Sequence, residues 1–309
     1  MRVVFAGTPK VAVPSLRLLL DSEHDVIAAI TRPDAPAGRG RQLVACPVAE
    51  VAKDAGVRLL QPVKASDPEF LQSLRDLSPD ACAVVAYGAL IPEAALSIPR
   101  HGWVNLHFSL LPAWRGAAPV QHAIWRGDEV TGATTFIIEA GLDTGPVLGT
   151  LAETIRPDDT AGDLLDRLAE SGAHLLAGSL DAIAEGRAHA IPQPSDGVSQ
   201  APKLTVDDAR IDWRHPARAI ERQIRACTPS PGAWTNLAEQ RVKVFPITVT
   251  DDDTGLAPGE LLRAGKNVWL VGTATTPVAL GDVQPQGKRR MAASDWARGA
   301  RLESGEILS

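Results

Sequence analysis

The chain has 309 residues, 45% hydrophobic and 22% charged, with a formal net charge of −6. That is enough apolar material for two cores and too acidic a balance for indiscriminate binding to nucleic acid. No apolar run approaches the roughly 20 residues that span a bilayer. The opening MRVVFAGTP reads as a strand and turn where a signal peptide would place a basic region, an apolar run and a small-residue cleavage site, so a cytoplasmic location is expected. The three cysteines, Cys46, Cys82 and Cys227, are widely spaced and outside any C-x-x-C pair. They read as buried thiols, not as a disulfide framework or a zinc ribbon.

In chain order, Arg2–Ala6, Asp25–Thr31, Arg58–Gln61, Ala81–Tyr87 and Trp103–His107 are short apolar runs. Amphipathic stretches such as Pro14–Leu20 and Val48–Ala55 separate them, and the alternation predicts a doubly wound α/β domain with a mostly parallel sheet. The first turn, FAGTP, holds one glycine where a dinucleotide fingerprint needs three, and reads as an ordinary strand–helix turn. Between Thr160 and Gly186, leucines 164, 165, 168, 175, 176 and 180 fall at helical spacing. The following IPQPSDGVSQAP is rich in Pro, Ser, Gly and Gln and reads as a linker. After a helical ARAIERQIRAC, the runs Val242–Thr250, Val268–Val271 and Thr276–Ala279, parted by Gly, Pro and Asp, predict a small antiparallel barrel. From Leu204 onward 14 Lys and Arg stand against 13 Asp and Glu, so this is the less acidic part of the chain. A polyanion would find local patches there, such as Lys288-Arg289-Arg290.

The stretch NLHFSLLPAWRGAAP places Asn105 and His107 two apart at the end of a predicted strand. They therefore project from one face, at the carboxyl end where ligands of open α/β sheets bind. Farther on, Gly141-Leu142-Asp143-Thr144-Gly145 flanks an acid with two glycines in a sharp turn. Alone, Asp143 reads as a turn former. With the other two it completes an amide, an imidazole and a carboxylate, the groups needed to stabilise an oxyanion and move a proton. Ser109 does not sit at a G-x-S-x-G elbow, and no third His or Cys stands at metal-ligand spacing, so neither a serine nucleophile nor a metal is expected. Trp114 and Arg115 fit either a gate over a pocket or surface packing. The insertion RPDAPAGRGRQL has three arginines against one aspartate. Arg39 or Arg41 in it could contact phosphates or stack on unpaired bases.

The pattern N-x-H-x-S-L-L-P-x-x-R-G, followed by G-x-D-x-G, resembles the folate-dependent formyltransferases. The FAGTP start, the RPDAPAGRGRQL insertion and the C-terminal region resemble the branch that acts on methionyl-tRNA, over essentially the whole chain. The resemblance implies a Rossmann-like catalytic domain over residues 1–188, a linker over 189–203 and an OB-like tRNA-binding domain over 204–309. It implies 10-formyltetrahydrofolate as formyl donor, initiator methionyl-tRNA as acceptor, and a monomer. The catalytic trio maps onto Asn105, His107 and Asp143, and folate contacts onto Ser109, Leu110, Leu111 and Pro112. Tyr87, Gly88 and Ile91 in VVAYGALIP would wall the pterin, Arg39 holds the position of the acceptor-end contact, and Lys288 and Arg289 would meet the RNA body. Phe108 stands where many members of the family carry glycine.

These residues support direct acyl transfer, with Asn105 and a protonated His107 donating to the formyl oxygen while Asp143 stabilises the imidazolium and accepts the amine proton. Rival readings are a formyltransferase acting on a small amine or nucleotide sugar, a formyltetrahydrofolate hydrolase, and an RNA-binding module without chemistry. The insertion and the barrel favour tRNA over the first two, and the intact trio disfavours the third.

Overall fold

Strand β1 (Arg2–Gly7) is buried at five successive residues from Val3, as happens when both faces of a strand are covered. The structure, a computed structural model, describes residues 1–37, 42–251 and 255–309. It divides into two compact units. The first comprises Met1–Pro119, Val130–Thr154 and Leu165–Gln200, and the second Val120–Glu129, Ile155–Leu164 and Ala201–Ser309.

In the first half of the chain β1 is followed by α1 (Val13–Leu20), β2 (Asp25–Ile30), the short hairpin strands β3 (Ala35–Ala37) and β4 (Gln42–Val44), and α2 (Pro47–Asp54). Then come β5 (Arg58–Leu60), α3 (Pro68–Leu77), β6 (Ala81–Val85), α4 (Glu93–Leu96), β7 (Trp103–His107), α5 (Pro119–Arg126), β8 (Val130–Ile137), β9 (Val147–Thr154) and α6 (Ala161–Ala184). Seven strands form one sheet in the order β5-β2-β1-β6-β7-β8-β9. Pairing is parallel from β5 through β7, and antiparallel between β7 and β8 and between β8 and β9. The chain winds outward from β1 to β5 and then returns to β6 on the other side of β1. The connections therefore diverge between the carboxyl ends of β1 and β6, which opens a crevice there.

The predicted elements of this unit are present within a residue or two, and their ends have physical causes. The Cys46 sulfur caps α2 by accepting from the Ala49 N–H at 3.4 Å, with Pro47 at the first helical position. Thr160 and Asp163 cap α6 reciprocally: each side chain accepts from the other's backbone N–H, at 3.3 and 3.0 Å. Leu164, Leu168, Leu176 and Leu180 of α6 are all fully buried. A Cβ at Gly172 would lie 3.0 Å from Leu106 Cδ2, so glycine lets α6 approach β7. The polar stretch read as a linker is exposed along much of its length but is not detached: Ile191 exchanges two backbone hydrogen bonds with Val147 of β9, at 2.7 and 2.8 Å.

In the second unit, α7 (Ala217–Cys227) precedes β10 (Trp234–Leu237), β11 (Gln240–Val244), β12 (Thr248–Val249), β13 (Leu261–Arg263), β14 (Trp269–Val271), β15 (Val278–Ala279), β16 (Asp282–Pro285), β17 (Met291–Ala292) and α8 (Ala293–Ala300). The strands form two antiparallel four-stranded sheets, ordered β10-β11-β16-β17 and β12-β15-β14-β13. Ile220, Ile224, Trp234, Val244, Leu261, Trp269, Val271, Val283 and Trp296 share one core. The single run expected over Val242–Thr250 is split between the two sheets around Pro246, which has no N–H for a ladder. Antiparallel strands are thus the architecture here, as expected of an OB-like region. Among the described residues no helix is long and apolar enough to cross a membrane.

Helix α7 carries a buried ion pair. Arg225 and Glu221 are 8% and 9% exposed, bonded to each other, and Arg225 Nη1 also donates to the Asp159 carbonyl at 2.9 Å. Removing one member strands the other's charge in the interior. Arg225→Met is expected to lower unfolding free energy by about 3–5 kcal/mol in a urea titration; a loss below about 1 kcal/mol would mean that water reaches the Glu221 carboxylate.

Candidate active site

Strand β7 delivers the first two functional side chains. Its residues Val104 and Leu106 are buried in the sheet's packing, while Asn105, half-buried, and His107, 6% exposed, alternate with them and share the other face. Asn105 is paired in register with Val84 of β6 and Phe136 of β8, so the amide sits well inside the sheet and the imidazole one step nearer its carboxyl edge.

The loop after β7 is built to receive that imidazole. Thr134 of β8, itself fully buried, donates its hydroxyl to the Ser109 carbonyl at 2.7 Å and accepts the Leu111 N–H at 3.1 Å. Ser109 is fully buried and donates to the Ala113 carbonyl at 2.6 Å. The chain then reaches Trp114 in a left-handed conformation, φ +61°. Such a conformation costs a bulky residue about 1–3 kcal/mol. It coincides with the Trp114 carbonyl standing 2.9 Å from His107 Nε2. A carbonyl only accepts, so Nε2 carries a proton.

The other ring nitrogen faces the third member. His107 Nδ1 is 3.8 Å from Asp143 Oδ2, a charge contact longer than a hydrogen bond. Asp143 stands at φ +53°, a conformation Asp tolerates, and its carboxylate accepts the Gly116 N–H at 2.7 Å. Gly145 closes this turn against β8: a Cβ there would lie 1.8 Å from the Ile137 carbonyl oxygen, so only glycine fits. Burial lowers the His107 pKa, opposed first by Asp143 and then by the Trp114 carbonyl. The net direction is downward, so the imidazole is neutral near pH 7. Desolvation outweighs one carboxylate at 3.8 Å, so an imidazolium at His107 would form only on taking up a proton.

The loop after β6 lies one strand over. Thr8 at the end of β1 donates its hydroxyl to the Tyr87 carbonyl at 2.8 Å and accepts the Arg32 N–H at 3.2 Å, tying three loops together. The Tyr87 ring is buried, and burial raises its phenol pKa against the opposing Arg32 guanidinium. Gly88 is exposed at φ +82°, and Ile91 is half-buried.

The structure therefore sets His107 against Asp143, with Asn105 two residues earlier on the same face of β7, Leu110, Leu111 and Pro112 in the loop that follows and Ser109 engaged within it. Arg115 is held by Gln193, whose Oε1 accepts from Nη2 at 2.6 Å and from Nε at 3.2 Å. Lys288 and Arg289 are exposed in the turn between β16 and β17, in the second unit. Arg39 and Arg41 lie outside the described residues. Sequence reasoning missed Thr134, Gln193 and Ser199, which act through contacts 23 to 87 positions away and leave no local pattern. It also missed Arg241, stacked 3.7 Å over Trp234, although the charged alternation QRVKV marks an exposed strand face.

Comparison with known proteins identifies the family. The formyl transferase family matches residues 1–180, and the formyl transferase C-terminal domain matches residues 203–301. A methionyl-tRNA formyltransferase of a Nocardioides species is 62% identical over 307 residues, 99% of this chain and 97% of that protein. Two solved structures share the fold at low identity. One is WlaRD, a sugar 3N-formyl transferase in the presence of dTDP and 5-N-formyl-THF, with TM-score 0.67, 17% identity, and coverage of 94% of this chain and 99% of that one. The other is the methionyl-tRNA formyltransferase from Clostridium thermocellum, with TM-score 0.59, 14% identity, and coverage of 82% and 95%. Matched by both domain families and by a full-length relative at that identity, the chain belongs to the methionyl-tRNA formyltransferase family.

Proposed function

We propose that this chain transfers the formyl group of 10-formyltetrahydrofolate to the free α-amino group of initiator methionyl-tRNA, giving N-formylmethionyl-tRNA for translation initiation. The observation that carries the reading is the Asn105–His107–Asp143 cluster at the carboxyl end of β7, in a chain 62% identical over its length to a methionyl-tRNA formyltransferase. A folate-derived formyl donor follows the family, and 10-formyltetrahydrofolate as that donor is part of the proposal.

In the proposed step the neutral amine attacks the formyl carbon, forming a C–N bond and placing negative charge on the formyl oxygen. The Asn105 amide donates to that oxygen. His107 begins neutral, with Nε2–H on the Trp114 carbonyl and Nδ1 able to accept. It takes the amine's proton at Nδ1, directly or through a water, and Asp143 stabilises the imidazolium so formed. That imidazolium donates to the oxyanion and returns the proton to N10 as the C–N10 bond breaks, leaving the enzyme unchanged. Gly88 and Ile91 flank the pterin, with Tyr87 fixing their loop, and Leu110, Leu111 and Pro112 border it from the next strand.

We assign catalysis to residues 1–188, a connecting segment to 189–203 and tRNA binding to 204–309. Exposed Lys288 and Arg289, with Arg241 flat on Trp234 and Arg290 4.1 Å over Phe245, support phosphate contact by the second unit. Arg39 and Arg41 are assigned to the acceptor end. The enzyme is assigned as a cytoplasmic monomer.

Incubation with 10-formyltetrahydrofolate and either Met-tRNA or free methionine tests the reading. Formyl product is expected on Met-tRNA alone, and release of formate without an acylated amine would make the protein a hydrolase. His107→Ala and Asp143→Ala are each expected to lower kcat by about 10²–10⁴ with little change in thermal stability. Asn105→Ala should cost about 10²–10³ in kcat, the range for one oxyanion donor; a raised KM with normal kcat would assign it to binding. The pH profile carries a sign. Neutral His107 is the competent form, and its pKa is lowered below the ordinary 6.5. The His107 imidazole, titrated by NMR in the free enzyme, should therefore have its midpoint below pH 6.5, and a midpoint above it would contradict the assignment; kcat/KM also carries the ionisation of the substrate amine.

A further inference from the structure

The segment read as a linker makes contacts that its composition does not foreshadow. After Ile191 pairs with Val147 on β9, the Gln193 amide donates both its hydrogens into the catalytic turn, to the Asp143 carbonyl and to the Gly145 carbonyl, each at 2.8 Å. Its oxygen accepts the Arg115 guanidinium. Six residues on, Ser199 Oγ accepts the Trp114 N–H at 2.9 Å, and the Ser199 carbonyl accepts the Arg115 N–H at 2.9 Å. The segment thus grips both loops that hold His107: the turn bearing the carboxylate opposite Nδ1, and the peptide whose carbonyl takes Nε2–H. Two left-handed non-glycine residues, Trp114 and Asp143, sit at these grips. Such conformations persist where surrounding structure holds them.

We infer that residues 191–200 form a strap across the active site, and that Gln193 is a positioning residue that sets Asp143 against His107 by fixing the backbone of its turn. A single side chain satisfies two carbonyls of that turn and docks Arg115 at the same time, so no hydrogen-bonding capacity of Gln193 is left for substrate contact. Gln193 acts through Asp143, not on the reacting atoms. Its catalytic consequence rests on the proposed formyl transfer, whereas its structural consequence does not.

The two are separable by experiment. Asp143 is the charged group acting on His107 among the described residues, and it raises the affinity of the imidazole for a proton. Loosening its turn removes that support. The His107 titration, followed by NMR of the imidazole in the full chain, is therefore expected to move to lower pH in Gln193→Ala. In the formylation assay the same variant should lose about tenfold or more in kcat, with KM for the folate donor within about twofold, as for a misplaced catalytic group. Gln193→Glu separates the two arms of the side chain. It keeps an acceptor for Arg115 but loses both donors to the turn, so its kcat should fall as in Gln193→Ala if turn fixation is the role, while its added negative charge keeps it out of the titration comparison. Its activity also serves where Gln193→Ala does not fold. An unchanged His107 titration in Gln193→Ala, or full activity in Gln193→Glu, overturns the strap. A shifted titration in an enzyme whose wild type leaves Met-tRNA unformylated overturns the proposed function and leaves the strap standing.

Discussion

A buried imidazole must find a partner for each ring nitrogen, and much of the loop architecture of the first unit answers that demand. His107 is almost completely buried at the end of β7, so protein groups must meet most of the needs of its ring. The Trp114 carbonyl serves Nε2, and a carboxylate in an otherwise unfavourable backbone conformation faces Nδ1. Each of these partners is itself held: Trp114 by Ser199, the Asp143 carboxylate by the Gly116 N–H, and the Asp143 turn by Gln193. Hydrogen bonds hold every partner of the imidazole in place, while the carboxylate acts on Nδ1 through charge alone across 3.8 Å, so the fixed backbone sets that distance.

The same burial decides the protonation state. A carboxylate at hydrogen-bonding distance would favour the imidazolium strongly, whereas at 3.8 Å it only offsets part of the desolvation. At rest His107 therefore carries no charge, and the Asp143 carboxylate is placed to stabilise an imidazolium more than it stabilises the neutral ring. Stabilisation that appears only as charge develops lowers a barrier without tightening the ground state.

The two units solve different problems with different materials. The first places a few polar groups at the ends of strands buried on both faces. The second surrounds a small antiparallel core, holds guanidinium groups over Trp234 and Phe245, and buries one ion pair, Arg225–Glu221, in α7. A guanidinium held over a ring has lost rotamer freedom before any partner binds, so a later contact costs less ordering.

The sequence by itself determined the five parallel strands of the first unit, α1, α2 and the long α6, because apolar runs of four to seven residues between amphipathic stretches have few other packings, while the antiparallel β8 and β9 and helices α3 to α5 emerged only in the structure. It also singled out Asn105, His107 and Asp143, since period-two alternation at a strand end and glycines around an acid are local signals. The antiparallel character of the second unit was legible from its short runs and turn residues, though the break at Pro246 was read through. Tertiary structure alone decided the rest. The neutral state of His107 depends on burial and on a distance to a residue 36 positions away, neither of which is encoded locally. The polar stretch at 191–200 looked like a linker because composition reports the inability to form a core, and a strap needs none: its hydrogen bonds go to loops 48 to 87 positions earlier in the chain.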